Sequence, residues 1–214
     1  MRAVNPKARL AAARLYVVTG AREDRGDLPA FLDAILGAGT DIVQLREKRA
    51  EAGDLLRWAP AFREACDRHG ALFVLNDRPD VALAAGADGV HVGQNDLPLG
   101  VVRSLMGPRG LIGLSTHDEV QLAGASAEAD YVSVGPVHET PTKPGRPATG
   151  PGFVRFAART ERRPWFAIGG IDPRTLPAVV EAGASRIVVV RAVTESPDPA
   201  AAVRALLRGL EGQA

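Results

Sequence analysis

The chain has 214 residues, of which 46% are hydrophobic and 24% charged, with a formal net charge of +1 and a single cysteine. This length and balance predict one soluble domain with a full hydrophobic core, and the near-zero charge supplies no bulk attraction to nucleic acid or to a membrane surface. No apolar run reaches transmembrane length, and Cys66 has neither a disulfide partner nor a His/Cys cluster around it.

Residues 1–13 are Ala/Arg-rich, with early charges and no apolar h-region. They are expected to be a disordered N-terminal extension rather than a secretory signal, which fits a cytoplasmic protein. Eight short apolar stretches follow, at Leu15–Thr19, Ile42–Arg46, Leu72–Asn76, Gly89–Val92, Leu111–Ser115, Tyr131–Gly135, Trp165–Gly169 and Arg186–Val190. Each precedes a helical pattern. The clearest is 51–68, with Leu55, Trp58, Ala59, Phe62 and Ala65 on one face.

A local pattern recurs ahead of every second strand: Gly39-Thr-Asp41, Gly86-Ala-Asp88, Glu128-Ala-Asp130 and Gly183-Ala-Ser185. The aspartates are 47 and 42 residues apart. With one further strand between each pair, the unit is roughly 21 to 24 residues, one strand plus one helix. Continuous Val/Ile-rich strands alternating with helices predict a parallel sheet covered on both sides. Eight units predict a compact closed (β/α)8 TIM barrel over residues 14–214, with a doubly wound open sheet as the alternative.

In such a barrel the active site lies at the C-terminal ends of the strands, and polar residues gather there. Gln44, Arg46 and Lys48 alternate along the second strand and share a face, so the two cations call for an anion or a neighbouring carboxylate. Asp77, after Asn76, and Asp96 occupy equivalent positions in adjacent units. Each alone would serve as a helix cap ahead of Pro79 or Pro98, but together, beside the cations, they suit Mg²⁺ completed by phosphate oxygens. Thr116 and Glu119 have capping-box spacing, which leaves Ser115 to face the mouth and His117 as a solvated first-turn histidine. Gly169-Gly170 ahead of Asp172-Pro173 reads as a glycine turn into a capped helix, a place where backbone amides meet phosphate, and Arg191 follows the last strand. Finally, residues 135–152 carry Pro136, Pro141, Pro144, Pro147 and Pro151 together with Thr140, Thr142, Lys143 and Arg146. No helix or strand survives that proline density, and the hydroxyl and cationic donors suit an anion-gripping lid. Two anion sites side by side, with no nucleophile–base pair and no dinucleotide fingerprint, point to group transfer between two phosphorylated ligands.

These residues resemble thiamine phosphate synthase, also called thiamine-phosphate pyrophosphorylase. The matching stretches are QLREK at 44–48, ND at 76–77, GVHVGQNDLP at 89–98, IGLSTH at 112–117, GPVHETPTKPG at 135–145 and IGGI at 168–171, in family order across nearly the whole chain. The resemblance implies coupling of 4-amino-5-hydroxymethyl-2-methylpyrimidine diphosphate with 4-methyl-5-(2-hydroxyethyl)thiazole phosphate, giving thiamine phosphate and pyrophosphate. Pyrophosphate would leave first with Mg²⁺ help, and the thiazole nitrogen would capture the pyrimidine-methyl cation. Carried over by motif, Gln44, Arg46, Lys48, Asn76, Ser115 and Lys143 hold the pyrimidine diphosphate, with Lys143, Arg46, Lys48 and Ser115 closest to the chemistry. Asp77 and Asp96 hold Mg²⁺. Thr140, Thr142, Gly169, Gly170, Val190 and Arg191 hold the thiazole phosphate. His138 and Arg191 depart from the family pattern, which usually has an aromatic or aliphatic residue and a serine there. The rival readings are a thiazole tautomerase-like isomerase, another phosphate-binding barrel such as a sugar-phosphate isomerase, and a non-catalytic thiamine-precursor binding protein. A homo-oligomer is compatible with all of them.

Overall fold

The structure is a computed structural model that describes residues 5–140 and 147–211. Eight parallel strands, β1 (Leu15–Thr19), β2 (Ile42–Leu45), β3 (Leu72–Asn76), β4 (Gly89–Val92), β5 (Leu111–Thr116), β6 (Tyr131–Val134), β7 (Trp165–Ile168) and β8 (Ile187–Val189), close on themselves in sequence order. The expected barrel is therefore observed, and pairing of β1 with β8 excludes the open sheet. Helices α2 (Leu28–Gly37), α3 (Ala52–His69), α4 (Pro79–Ala84), α5 (Leu99–Met106), α6 (Glu119–Ala123), α7 (Gly150–Thr160), α8 (Leu176–Glu181), α9 (Arg191–Thr194) and α10 (Pro199–Glu211) lie between and after them.

The strands alternate between two apolar environments because successive side chains point to opposite faces. Outward residues such as Val43, Leu45, Phe73 and Leu75 pack under the helices, while Tyr16, Ile42, Leu72, Leu111, Tyr131, Phe166 and Val188 fill the barrel interior. Helix α3 buries Leu55, Ala59, Phe62 and Ala65, as its pattern predicts, and also Cys66, whose thiol burial pushes up to about 12. That thiol is an inert core side chain.

Within the segment 1–13, expected to be a disordered extension, the described part is ordered. Pro6–Ala12 form a further helix, α1, with the Asn5 side chain accepting from the Lys7 backbone N–H. Leu10 and Ala13 are buried among the interior residues, so α1 plugs the base of the barrel. Arg9 donates to Ala71 O and Asp88, and Lys7 pairs with Asp130. The polar composition of this segment hid the apolar end it covers.

The recurring aspartates are also explained by the base. Asp41 accepts the backbone N–H groups of Arg14 and Leu15, Asp88 that of Phe73, and Asp130 that of Ile112. Each aspartate before an even-numbered strand thus satisfies a backbone donor at the start of the odd-numbered strand before it, where the ladder has no partner. Arg63 and Arg103 hold Asp88 and Asp130 from the helix layer.

Candidate active site

The mouth of the barrel contains two adjoining cavities. The larger, about 410 Å³, is lined by Gln44, Arg46, Lys48, Asn76, Asp77, Asp96 and Ser115 among others. The smaller, about 300 Å³, is lined by Thr140, Gly169, Gly170, Val190 and Arg191. His117, Ser133, Ile168, Val188 and Val190 line both and form the shared wall. All the expected site residues within the described part of the chain line one of these cavities, and Val190 lines both. Thr142, Lys143 and Arg146 lie outside the described residues.

The strand register explains the larger cavity. Gln44 points into the barrel on β2, and Arg46 and Lys48 continue the same face past its end. Among the described residues no carboxylate pairs with Arg46, whereas Lys48 Nζ stands 3.4 Å from Asp77 Oδ2. Glu47 points away, as alternation predicts, and accepts the Ala21 backbone N–H.

Neither Asp77 nor Asp96 caps a helix. The residues capping α4 and α5 are Arg78 and Pro98. Asp77 follows β3 with a left-handed φ of 63°, its N–H donating to His91 O, and Asp96 Oδ2 accepts from Gly93 N at 2.6 Å. Partial burial and the neighbouring Asp96 charge raise the Asp77 carboxyl above its ordinary range, with Lys48 opposing. No group of three or more His, Cys, Asp or Glu side chains placed to hold a metal occurs among the described residues. Two carboxylates are nonetheless the usual protein share of a Mg²⁺ site completed by phosphate and water.

The smaller cavity is built by a close approach of two backbones. Gly169 and Gly170 have φ of 110° and 62°, and a Cβ on either would collide with Pro136 or His138. This lets Val137 N–H donate to Ile168 O and His138 N–H to Gly169 O, so that the segment after β6 is laid along the turn after β7. The helix expected to start at Asp172-Pro173 instead begins at Leu176. Asp172 accepts from Arg174 N and Thr175 N, and Thr175 Oγ1 donates to Gly170 O, fixing the turn from behind. Arg191 is exposed beside the cavity, 3.9 Å from Glu195, and at His138 the imidazole Nε2 is buried without a hydrogen-bond partner among the described residues.

Two further expectations are corrected. Thr116 forms no capping box with Glu119. Strand β5 runs one residue further than expected, Thr116 pairs with Val134 and its hydroxyl donates to Ser133 O, and Asp118 caps α6 instead by accepting from Gln121 N. His117 is not a solvated histidine: its Nδ1 meets Gly135 O at 2.7 Å, and its ring lies in the wall between the cavities. Sequence reasoning also missed Tyr16, His91, Gln94 and Ser133 in the larger cavity. Period-2 alternation from Gln44 and Ser115, applied to every strand in register, would have found Tyr16, His91 and Ser133.

No helix among the described residues is long and apolar enough to cross a membrane. A family model described as thiamine monophosphate synthase matches residues 15–193. The thiamine-phosphate synthase of Acidothermus cellulolyticus is 57% identical over 199 residues, covering 92% of this chain and 94% of its own. That of Mycobacterium bovis is 52% identical over 216 residues, covering 95% and 97%. Among solved structures, the thiamine phosphate pyrophosphorylase of Pyrococcus furiosus superposes with a TM-score of 0.84 at 29% identity, covering 97% of this chain and 98% of that one. The chain belongs to the thiamine monophosphate synthase family and is a transferase of the thiamine-phosphate synthase type.

Proposed function

We propose that the chain couples 4-amino-5-hydroxymethyl-2-methylpyrimidine diphosphate with 4-methyl-5-(2-hydroxyethyl)thiazole phosphate, releasing pyrophosphate, with Mg²⁺ held by Asp77 and Asp96. The observation that carries this reading is the pair of adjoining cavities with different anion chemistry. One has a carboxylate pair beside Arg46 and Lys48; the other has a glycine turn and Arg191.

Arg46 and Lys48 grip the diphosphate in the larger cavity, with Asn76 and Ser115 beside it. Lys143 completes the grip in this proposal. Gly169, Gly170, Thr140, Thr142, Val190 and Arg191 hold the thiazole phosphate across the shared wall. In the reaction the pyrimidine C–O bond breaks with its electron pair leaving on the diphosphate. The thiazole nitrogen then uses its lone pair to form the new C–N bond. No residue needs to act as a nucleophile. The cations of this chain stabilise charge that grows on the departing oxygen, which is where fixed positive charge lowers a barrier most. Bound Mg²⁺ would supply further neutralisation of that diphosphate.

The test mixes purified protein with both phosphorylated precursors, with Mg²⁺ or with EDTA, and follows thiamine phosphate by thiochrome fluorescence. Product with Mg²⁺ and none with EDTA is expected. Product formed equally well in EDTA would remove the metal from the reading, and no product from folded protein would remove the coupling reaction.

A further inference from the structure

At the floor of the larger cavity, which Gln44, Tyr16, His91 and Ser115 line, polar side chains on five strands form one hydrogen-bonded chain that also takes in the buried Tyr131. Gln44 Nε2 donates to Tyr16 OH at 2.5 Å. Tyr16 OH lies 3.2 Å from Tyr131 OH, which lies 3.2 Å from His91 Nδ1. His91 Nε2 lies 2.9 Å from Ser115 Oγ. Space for the middle of this chain is made by Gly113, which pairs in register with His91 on one side and Tyr131 on the other. A Cβ at Gly113 would overlap both His91 Nδ1 and Tyr131 OH.

Donor accounting sets the direction of the chain. Gln44 Nε2 can only donate, so Tyr16 oxygen accepts. If Tyr131 also donated to Tyr16, the Tyr16 hydroxyl hydrogen would have no acceptor among the described residues. An unsatisfied buried donor costs about 1–3 kcal/mol. The arrangement that uses every hydrogen runs from Tyr16 to Tyr131 to His91 Nδ1, and from His91 Nε2–H to Ser115 Oγ. Burial raises both phenols, so both keep the protons this direction requires. Ser115 oxygen then accepts from below, and its own hydrogen is left for the cavity. At the other end Gln44 keeps its side-chain carbonyl for the same cavity.

We propose that Tyr16, Tyr131 and His91 are positioning residues: they form a directed relay that presents the Gln44 carbonyl as an acceptor and the Ser115 hydroxyl as a donor. A nitrogen heterocycle bearing an exocyclic amino group offers the complementary pattern, an N–H donor beside a ring-nitrogen acceptor. This inference rests on the proposed function for the identity of the ring, and it assigns the selection of that ring to residues that do not touch the reacting bond.

The experiment reads binding rather than turnover, so that it stands apart from the coupling assay. Unphosphorylated 4-amino-5-hydroxymethyl-2-methylpyrimidine and its 4-desamino analogue are titrated calorimetrically into the wild-type protein and into Tyr131→Phe, which keeps the ring and removes the relaying hydroxyl. Wild type is expected to prefer the amino ring by about tenfold or more, the worth of one neutral hydrogen bond. Tyr131→Phe is expected to shrink that preference to about twofold, with inorganic pyrophosphate binding unchanged. Where Tyr131→Phe fails to fold, His91→Gln serves in its place. A preference retained in the variant overturns the relay, as does equal binding of both rings by wild type. A fall in pyrophosphate affinity alongside the ring preference assigns the change to general distortion and overturns it too. Failure of the coupling assay with the ring preference intact would remove the synthase reaction and leave the relay standing.

Discussion

At the base of the barrel, Asp41, Asp88 and Asp130 each accept backbone N–H groups, and Asp88 and Asp130 are further held by Arg9 and Arg63 or by Lys7 and Arg103. At the mouth, partial burial and the neighbouring Asp96 charge raise the Asp77 carboxyl, and Lys48 opposes this from 3.4 Å. The same side chain is therefore used in opposite ways at the two ends. Carboxylates at the base fasten strands together; those at the mouth line a cavity together with Arg46 and Lys48. Paired charge at one end and charge gathered round a cavity at the other fit a barrel that keeps stability at its base and its site at its mouth.

This contrast can be broken experimentally, and the largest effect is expected at the mouth. Asp77→Asn keeps a residue type that tolerates the left-handed φ, so backbone strain is not introduced. It should lower kcat/KM by about 100-fold or more while leaving the melting temperature of metal-free protein unchanged or higher. A variant with normal Mg²⁺ titration would place the metal elsewhere. The complementary substitution at the base, Asp88→Ala, removes one carboxylate from Arg9 and from Arg63 and leaves the Phe73 N–H without its side-chain acceptor. It should cost about 3 kcal/mol in urea unfolding, with activity per folded molecule retained. Loss of activity without loss of stability would show that the two ends are not separable.

The smallest effect concerns pH. A carboxyl raised in the folded state binds its proton more tightly there than in the unfolded chain. It therefore subtracts from stability as pH rises from the ordinary carboxylate range through the folded value, and the loss persists above it. Metal-free wild type should accordingly fall behind Asp77→Asn in melting temperature as pH rises from about 3 to neutral, and Mg²⁺ with pyrophosphate should reverse the gap. Parallel melting curves at all pH values would mean that Asp77 and Asp96 do not burden the fold.

Much of this architecture could be read from the chain. Eight apolar strands with helices between them specify a parallel barrel because each strand is buried on both faces, and the polar residues after each strand mark the mouth. Gln44, Arg46, Asp77, Asp96 and Gly169-Gly170 were legible because strand alternation, turn chemistry and charge type are local. Thr116, His117 and α1 were misjudged because their roles depend on partners far along the chain. Thr116 is claimed by Ser133, His117 by Gly135, and Arg9 by Asp88, 79 residues away.

The repeating aspartates show both sides of this limit. Their period follows from the sequence, since one strand and one helix need a nearly fixed length of chain. Their purpose did not, because the backbone donors they satisfy belong to the neighbouring strand. The sequence alone determined the strand count, the face each residue takes and the chemical character of the mouth. Only the tertiary structure decided that the mouth divides into two cavities with a shared wall, that α1 seals the base, and that five distant polar residues meet across Gly113. Each depends on barrel closure and on the register between strands, and register is a relation between segments that no single segment contains.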